Sequence, residues 1–218
     1  MPKFTIIIPH YDGAVSDAFL LRCFDCLSQQ TLQDFEVLLF HDGPLSRPLP
    51  ELPKVGVSVQ LLVAETRAND WGHSLRRKGI EIARGDYIVH LNPDNVLYPR
   101  ALATLVDAMS WPLQPSPNAH QVENPKILVF AILLRGRMFN GRGGFWRDKG
   151  AHHRATIMTG IPPFLGFIDC MQVVAHRDIW RAVGGWYDLR PESDGLIYEK
   201  MIAELGARYV PAILGEHW

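Results

Sequence analysis

An α/β fold with a largely parallel central sheet and helices on both faces is what this sequence predicts, on three observations. Strand-like and helix-like segments alternate along the chain. The runs FTIII, EVLLF and YIVHL are apolar throughout, as strands covered on both faces are. Polar turn residues follow those runs, at the sheet edge where open α/β folds keep their ligands.

Taken in order, Phe4–Ile8 reads as a strand ending at Pro9, and Ser16 or Asp17 caps a helix to about Gln30. Cys23 and Cys26 have the spacing of a metal or redox pair. The segment also fits a helix with Leu20, Cys23, Phe24 and Leu27 on one face, so the expectation is two packed cysteines. Phe35–Phe40 is a strand followed by the turn His41-Asp42-Gly43-Pro44, and Pro44, Pro48, Pro50 and Pro53 make an irregular loop. Val57–Val63 is a strand, His73–Ala83 a basic helix closed by Gly85, and Tyr87–Leu91 a strand stopping at Asn92-Pro93-Asp94-Asn95. The spacing of Leu102, Leu105, Val106 and Met109 predicts a helix over Pro99–Met109, with Pro112, Pro115 and Pro117 breaking the chain beyond it. Lys126–Leu134 is another strand. Residues 135–150 are rich in Gly and Arg without an apolar period, and read as a mobile or hairpin loop. A short strand Met171–Ala175, a helix Arg177–Val183 closed by Gly184-Gly185, a helix from Ser193 or Asp194 to Leu205 ended by Gly206, and a strand Tyr209–Leu214 complete the pattern. The expected organisation is one domain over 1–218, in which residues of about 1–110 bind one ligand and those of about 111–218 another.

Composition excludes several classes. With 22 basic and 23 acidic side chains, the chain offers no field for broad nucleic-acid binding. Its longest strongly apolar run, Ile127–Leu134, is too short to span a bilayer. It opens almost directly into a strand, so no signal peptide is expected, and three cysteines, an odd number, suit a reducing cytosol. Neither a GxxxxGK[ST] loop nor a GxGxxG fingerprint is present; the first strand is followed by PHYDGAVSD. A phosphate-bearing ligand at this sheet edge therefore needs a divalent cation or Arg and Lys for its charge. Asp94, beside two amide side chains, can hold a hard cation or simply make the turn.

Four segments together resemble the family 2 glycosyltransferases. TIIIPHYDG is similar to that family's IIPxYN, DFEVLLFHDGP to FEIIVVDDGS, LRRKGIEIARGDYIVHLNPDNVLYP to ARNxGIxxAxGxYIxFLDxDDxxxP, and VGGWYDLRPESDGLIYEKMI to VGGFDExxxxEDxDLxxRL. They occur in the family's order and cover most of residues 4–206. The resemblance implies a GT-A fold, with a nucleotide-sugar half and an acceptor-binding, catalytic half, and inverting transfer of a sugar to an acceptor hydroxyl.

The residues carried over depart from the pattern in places. The family DxD is Asn92-Pro93-Asp94, so Asp94 alone keeps the metal role, with His217 as the late His ligand. One carboxylate and one imidazole tilt the cofactor toward Mn²⁺ over Mg²⁺. His41 stands for the first aspartate of DDG and Asp42 for the second; Asp42 and Pro9, His10, Tyr11 and Asp12 are expected to face the nucleoside. Arg76 matches the arginine of RNxG and joins Asn92, Pro93 and Asp94 on the donor, while Arg77 and Lys78 read as a solvated helix face. Asp194 matches the general base, which an inverting single displacement needs only once. Asp188 and Glu192 are expected on the acceptor side and as fallback bases, and Trp186, beside Gly184-Gly185, as a platform for a sugar. His152-His153 lacks the partners of a metal site.

The expected partners are a UDP-sugar, UDP-glucose first, and a growing glycan or lipid-linked saccharide, with any membrane contact peripheral. Two rival readings stand beside this one: a non-catalytic nucleotide-sugar binding module that has lost the DxD carboxylate, and a sugar nucleotidyltransferase.

Overall fold

The computed structural model describes residues 1–218 except 15, 113–124, 140–144, 148–153 and 164–165, and describes 137–139 and 145–147 by backbone alone. The expectations for His152-His153, for Pro115 and Pro117, and for the middle of the 135–150 loop lie outside the described residues.

Strand β1 (Phe4–His10) is followed by α1 (Asp17–Ser28), β2 (Phe35–His41), β3 (Val59–Val63), α2 (His73–Ile82) and β4 (Tyr87–His90). These make the parallel block β3-β2-β1-β4, with Ile6 level with Val37 and Val89. A short strand β5 (Asn95–Leu97) and helix α3 (Ala101–Met109) follow. The helix begins two residues after Pro99, because Pro99 and Arg100 are used in a turn closed by Ala101 N–H on Tyr98 C=O.

The second half adds β6 (Ile127–Arg135), the hairpin β7 (Arg137–Phe139) and β8 (Phe145–Arg147), β9 (Ala155–Met158), a 3-10 turn at Cys170–Gln172, β10 (Val173–His176), α4 (Arg177–Ala182), α5 (Ser193–Leu205) and β11 (Arg208–His217). The sheet continues β4-β10-β6-β11-β5 with β9 beside β6; β10 runs antiparallel to both neighbours, and β11 runs parallel to β6. The fold is thus mixed α/β on a mostly parallel sheet, as expected. The 135–150 segment is partly a hairpin.

Alternate residues of each strand feed two cores. Phe4, Ile6, Ile8, Val37, Leu39, Val89, Leu128 and Phe130 pack against α1 and α3 through Leu20, Cys23, Phe24, Leu27, Leu102 and Leu105. Ile7, Leu38, Ile88 and Val129 pack on the other face against Leu75, Ile80, Trp180, Ile197, Tyr198 and Met201 of α2, α4 and α5. Cys23 and Cys26 are free and buried in the first core, which settles them as packing residues.

Strand β11 decides where the site lies. It slips register against β6 on either side of Ile213, next to Pro211, which has no N–H to give the ladder. Its end then pairs antiparallel with β5, setting His217 opposite Asn95 and Gly215 opposite Leu97. A Cβ at Gly215 would lie 2.4 Å from the Val96 carbonyl oxygen, so only glycine permits the approach.

Candidate active site

The C-terminal ends of β1, β2 and β4, the N-terminal turns of α2 and α5, and the end of β11 enclose a cleft of about 630 Å³. Pro9, His10, Tyr11, Asp42, Arg76, Asn92, Pro93, Asp94, Asp194 and His217, which the sequence singles out from five separate segments, all line it.

On one side Tyr11 lies under the Arg67 guanidinium, 3.6 Å from the ring centre. Asp42 accepts from the backbone N–H groups of Ala68 (2.7 Å) and Asn69 (3.0 Å), so its carboxylate fixes the loop that forms this wall. His41 is fully buried: Nδ1 lies 2.7 Å from the Gly43 carbonyl and Nε2 accepts from the Asp12 backbone N–H at 3.3 Å. That arrangement requires the Nδ1–H tautomer, which pairs both ring nitrogens of a fully buried imidazole. His10 is buried beside it, and burial, with the His41 ring as the next cause, lowers it to about 4, so it is neutral at pH 7.

At the centre, Arg76 is 2% exposed. It donates to the Trp71 carbonyl (2.9 Å) and to Asn92 Oδ1 (2.5 Å), and its Nε has no partner among the described residues. Trp71 and Asn69 are in the left-handed region, with φ of 56° and 54°, which is costly for non-glycine residues. Gly72 continues the turn at φ 80°, and a Cβ there would strike Pro9 at 2.4 Å. The turn holds Trp71 at the rim with 65% of its surface exposed.

At the far wall Asp94 has one buried carboxylate oxygen, Oδ1, without a hydrogen-bond partner among the described residues, while Oδ2 is 3.5 Å from His217 Nε2. His217 Nδ1 is 2.6 Å from Asp169 Oδ2. Burial opposes charge on this ring, but Asp169 and then Asp94 outweigh it and raise His217 to about 9. Asp194, in the first turn of α5, accepts from the Gly195 N–H at 2.8 Å. Burial, and next the Asp169 charge, raise it to about 6.

An unsatisfied buried carboxylate oxygen beside an imidazole whose second nitrogen is fixed by a carboxylate is a donor set that suits a divalent cation, which would displace the Nε2 proton that Asp169 and Asp94 otherwise keep on the ring. Among the described residues no three His, Cys, Asp or Glu side chains gather as a self-sufficient cage. A cation at Asp94 and His217 would therefore take its remaining ligands from phosphate oxygens and water.

Several expectations are corrected. Trp186 offers no face to a sugar: it is 0% exposed, stacked against His73 and Trp180, and its indole N–H donates to Ser193 Oγ at 2.9 Å. Asp12 does not line the cleft; its Oδ2 accepts from Ser46 N–H and Oγ–H. Asp188 and Glu192 also lie outside the lining: Asp188 is bound to Arg190, which lowers it to about 2, and Glu192 is exposed. Arg77 is not a solvated face residue, since it donates to the carbonyls of Trp186 (2.8 Å) and Tyr187 (3.2 Å). The Ser193 hydroxyl accepts from Trp186 rather than capping α5. Asp169, Arg67 and Trp71, all in the lining, were not signalled by any motif. Asp169 lies in the run FIDCMQ, where an isolated acidic residue before apolar ones carries no pattern.

Residues 5–161 match the family model described as Glycosyl transferase family 2, and the chain belongs to that family. It is similar to the amylovoran biosynthesis glycosyltransferase AmsB of Erwinia amylovora, 30% identical over 100 residues, which are 43% of this chain and 31% of AmsB. It is also similar to a PGL/p-HBAD biosynthesis glycosyltransferase of Mycobacterium bovis, 26% identical over 153 residues, 68% of this chain and 54% of the relative. The fold is shared with S. aureus TarS 1–349 (TM-score 0.63, 13% identity, 99% of this chain and 60% of that one). It is shared too with the mannosyltransferase PcManGT of Pyrobaculum calidifontis, solved with GDP-Man and Mn²⁺ (TM-score 0.58, 12% identity, 99% and 56%). The chain therefore spans about a third to three-fifths of the length of these proteins. Among the described residues no helix is long and apolar enough to cross a membrane.

Proposed function

We propose that this chain transfers a sugar from a nucleotide donor to an acceptor hydroxyl with inversion. The observation that carries the reading is the meeting, in one cleft, of Arg76 and Asp94 from one segment with Asp194 and His217 from two others distant in sequence. Residues of about 1–110 supply most of the donor wall, with the nucleoside against Pro9, His10, Tyr11 and Asp42. The Arg76 guanidinium, without a carboxylate ion pair among the described residues, is placed for diphosphate charge. Asp94 and His217 hold Mn²⁺ or Mg²⁺, whose chemistry when bound is to stabilise the negative charge of the leaving nucleoside diphosphate.

Asp194 removes the proton of the acceptor hydroxyl as its oxygen bonds to the anomeric carbon and the bond from that carbon to the diphosphate oxygen breaks. A carboxyl poised at about 6 is ionised at neutral pH yet basic enough to take that proton. UDP is the first nucleotide to test, since TarS has been solved with UDP and with UDP-GlcNAc; UDP-glucose is the first intact donor. The acceptor is a growing glycan or lipid-linked saccharide, a reading supported by relatives named for amylovoran, PGL/p-HBAD and O-antigen biosynthesis. Three free, buried cysteines suit a reducing compartment, so we set the reaction in the cytoplasm.

Calorimetry with UDP and UDP-glucose, with and without Mn²⁺, followed by a UDP-release assay over an acceptor panel, tests this. The expectation is Mn²⁺-enhanced binding and acceptor-dependent release. Binding with no release across the panel would favour a non-catalytic binding module.

A further inference from the structure

Asp169 is the acidic residue of the cleft that no motif explains. It sits at the N-cap of the 3-10 turn Cys170–Gln172, between residues 161–168 and β10. Its Oδ1 accepts from the Met171 N–H at 3.1 Å, and its own N–H donates to Gln172 Oε1 at 3.0 Å. Gln172 is fully buried and donates in turn to the carbonyls of Phe130 (2.8 Å) and Met158 (3.0 Å), tying the turn to β6 and β9. One carboxylate oxygen is thus fixed by backbone, and the other, Oδ2, meets His217 Nδ1 at 2.6 Å.

We infer that Asp169 is a positioning residue: it holds a proton on His217 Nδ1 and so commits Nε2, the nitrogen facing Asp94, to the cation. This rests on the metal role proposed above for Asp94 and His217. A carboxylate behind a metal-binding imidazole fixes the ring's orientation and tautomer and makes the ligating nitrogen more basic, and its loss costs roughly 10–100-fold in metal affinity. The alternative, a plain N-cap, uses only the Oδ1 contact and leaves the short Oδ2–Nδ1 contact without a purpose.

The two roles predict opposite orders for two substitutions. In Asp169→Asn the Met171 N–H demands an oxygen on its side, so the side-chain NH₂ must face His217. That NH₂ donates to Nδ1, moving the ring proton to Nε2 and blocking the ligating nitrogen. Asparagine is nonetheless as good an N-cap as aspartate, whereas alanine is not. Asp169→Asn should therefore melt above Asp169→Ala, though below wild type because both variants lose the charge that raises His217, yet weaken Mn²⁺ binding, read by calorimetry in the presence of UDP, roughly 10–100-fold and at least as much as Asp169→Ala does.

Wild-type Mn²⁺ affinity in Asp169→Asn, or an order in which Asn is milder than Ala for both melting and Mn²⁺, would overturn the inference. Asp94→Ala serves as the control. If it abolishes Mn²⁺ binding while Asp169→Asn does not, the metal reading stands and the role of Asp169 fails. If the wild type itself shows no Mn²⁺-dependent binding, both fall together.

Discussion

Two places at opposite ends of the same sheet, the Glu36 network and the cleft, treat buried polar groups in opposite ways. At the N-terminal end of the strands, Glu36 is almost inaccessible and every contact it makes is closed. It accepts from the Thr5 hydroxyl (2.7 Å), the Arg84 backbone N–H (2.7 Å) and the Arg84 guanidinium (2.6 Å), and Thr5 Oγ accepts from the Gly85 N–H (2.8 Å). At the C-terminal end, Asp94 Oδ1, Arg76 Nε and both His10 ring nitrogens are buried without partners among the described residues. Each such group costs about 1–3 kcal/mol when left alone, so a ligand that satisfies it gains that much. The closed network at Glu36 holds the strands together, while the unsatisfied groups of the cleft are open to a ligand.

That contrast is broken most severely at Asp194. Asp194→Asn should lower kcat roughly 10²–10⁴-fold if this carboxylate is the base. The variant should melt no lower than wild type, because the carboxyl is raised to about 6 by burial first and by Asp169 next. A carboxyl raised in the folded state is a cost above its ordinary value, and the cost is in full force above pH 6, so removing the charge relieves it. In the wild type, UDP release should climb as pH rises through about 6 and then level off. A rate flat from pH 5 to 8, or full turnover in Asp194→Asn, would remove Asp194 from the chemistry.

Glu36→Ala sharpens the same comparison from the other end, with an expected loss of about 1–3 kcal/mol of stability and unchanged UDP affinity. Burial works against this carboxylate, but Thr5 and Arg84 outweigh it and hold it below its ordinary value. A depressed carboxyl contributes stability above its unfolded pKa and loses it as pH falls through the folded one. The gap in melting temperature between wild type and Glu36→Ala should therefore narrow on acidification below the ordinary Glu range. Equal melting at neutral pH would show that the solvent-exposed Arg84 contributes nothing through this pair.

What could be read in the sequence follows from how local its causes are. The parallel block is legible because each strand is an apolar run next to a turn; Pro9, Asp42 and Asp94 are legible because each lies beside such a run, and Arg76 because it stands in the helix segment LRRKG that the resemblance picks out. Strands β5 and β9, of three and four residues, were not, since pairing with β11 and β6 rather than their own composition makes them strands. Asp169 was hidden for a similar reason: its meaning lies in a contact with a residue 48 positions away. Trp186 was misjudged because a tryptophan after two glycines looks the same in sequence whether its ring points out or in. Here Gly184 and Gly185, at φ 85° and 71°, turn the chain so that the indole enters the core between His73 and Trp180.

The smallest expected effect belongs to the tryptophan that does face the cleft. Trp71 is held at the rim by a left-handed backbone and by the Arg76 bond to its carbonyl, so its placement owes nothing to burial of the ring. Trp71→Gly removes an exposed ring and suits φ 56°, so it should leave stability unchanged or raise it by about 1 kcal/mol. The same change should weaken binding of the intact nucleotide-sugar or the acceptor by roughly 2–10-fold, the size of one aromatic contact of about 0.5–1.5 kcal/mol. A side chain kept for the fold loses stability when it is removed, whereas one kept for a ligand loses affinity while stability stays or improves. If Trp71→Gly instead melts lower with unaltered affinities, the rim tryptophan belongs with Glu36 among the groups that hold the sheet, and the boundary between the two ends lies deeper in the cleft than Trp71.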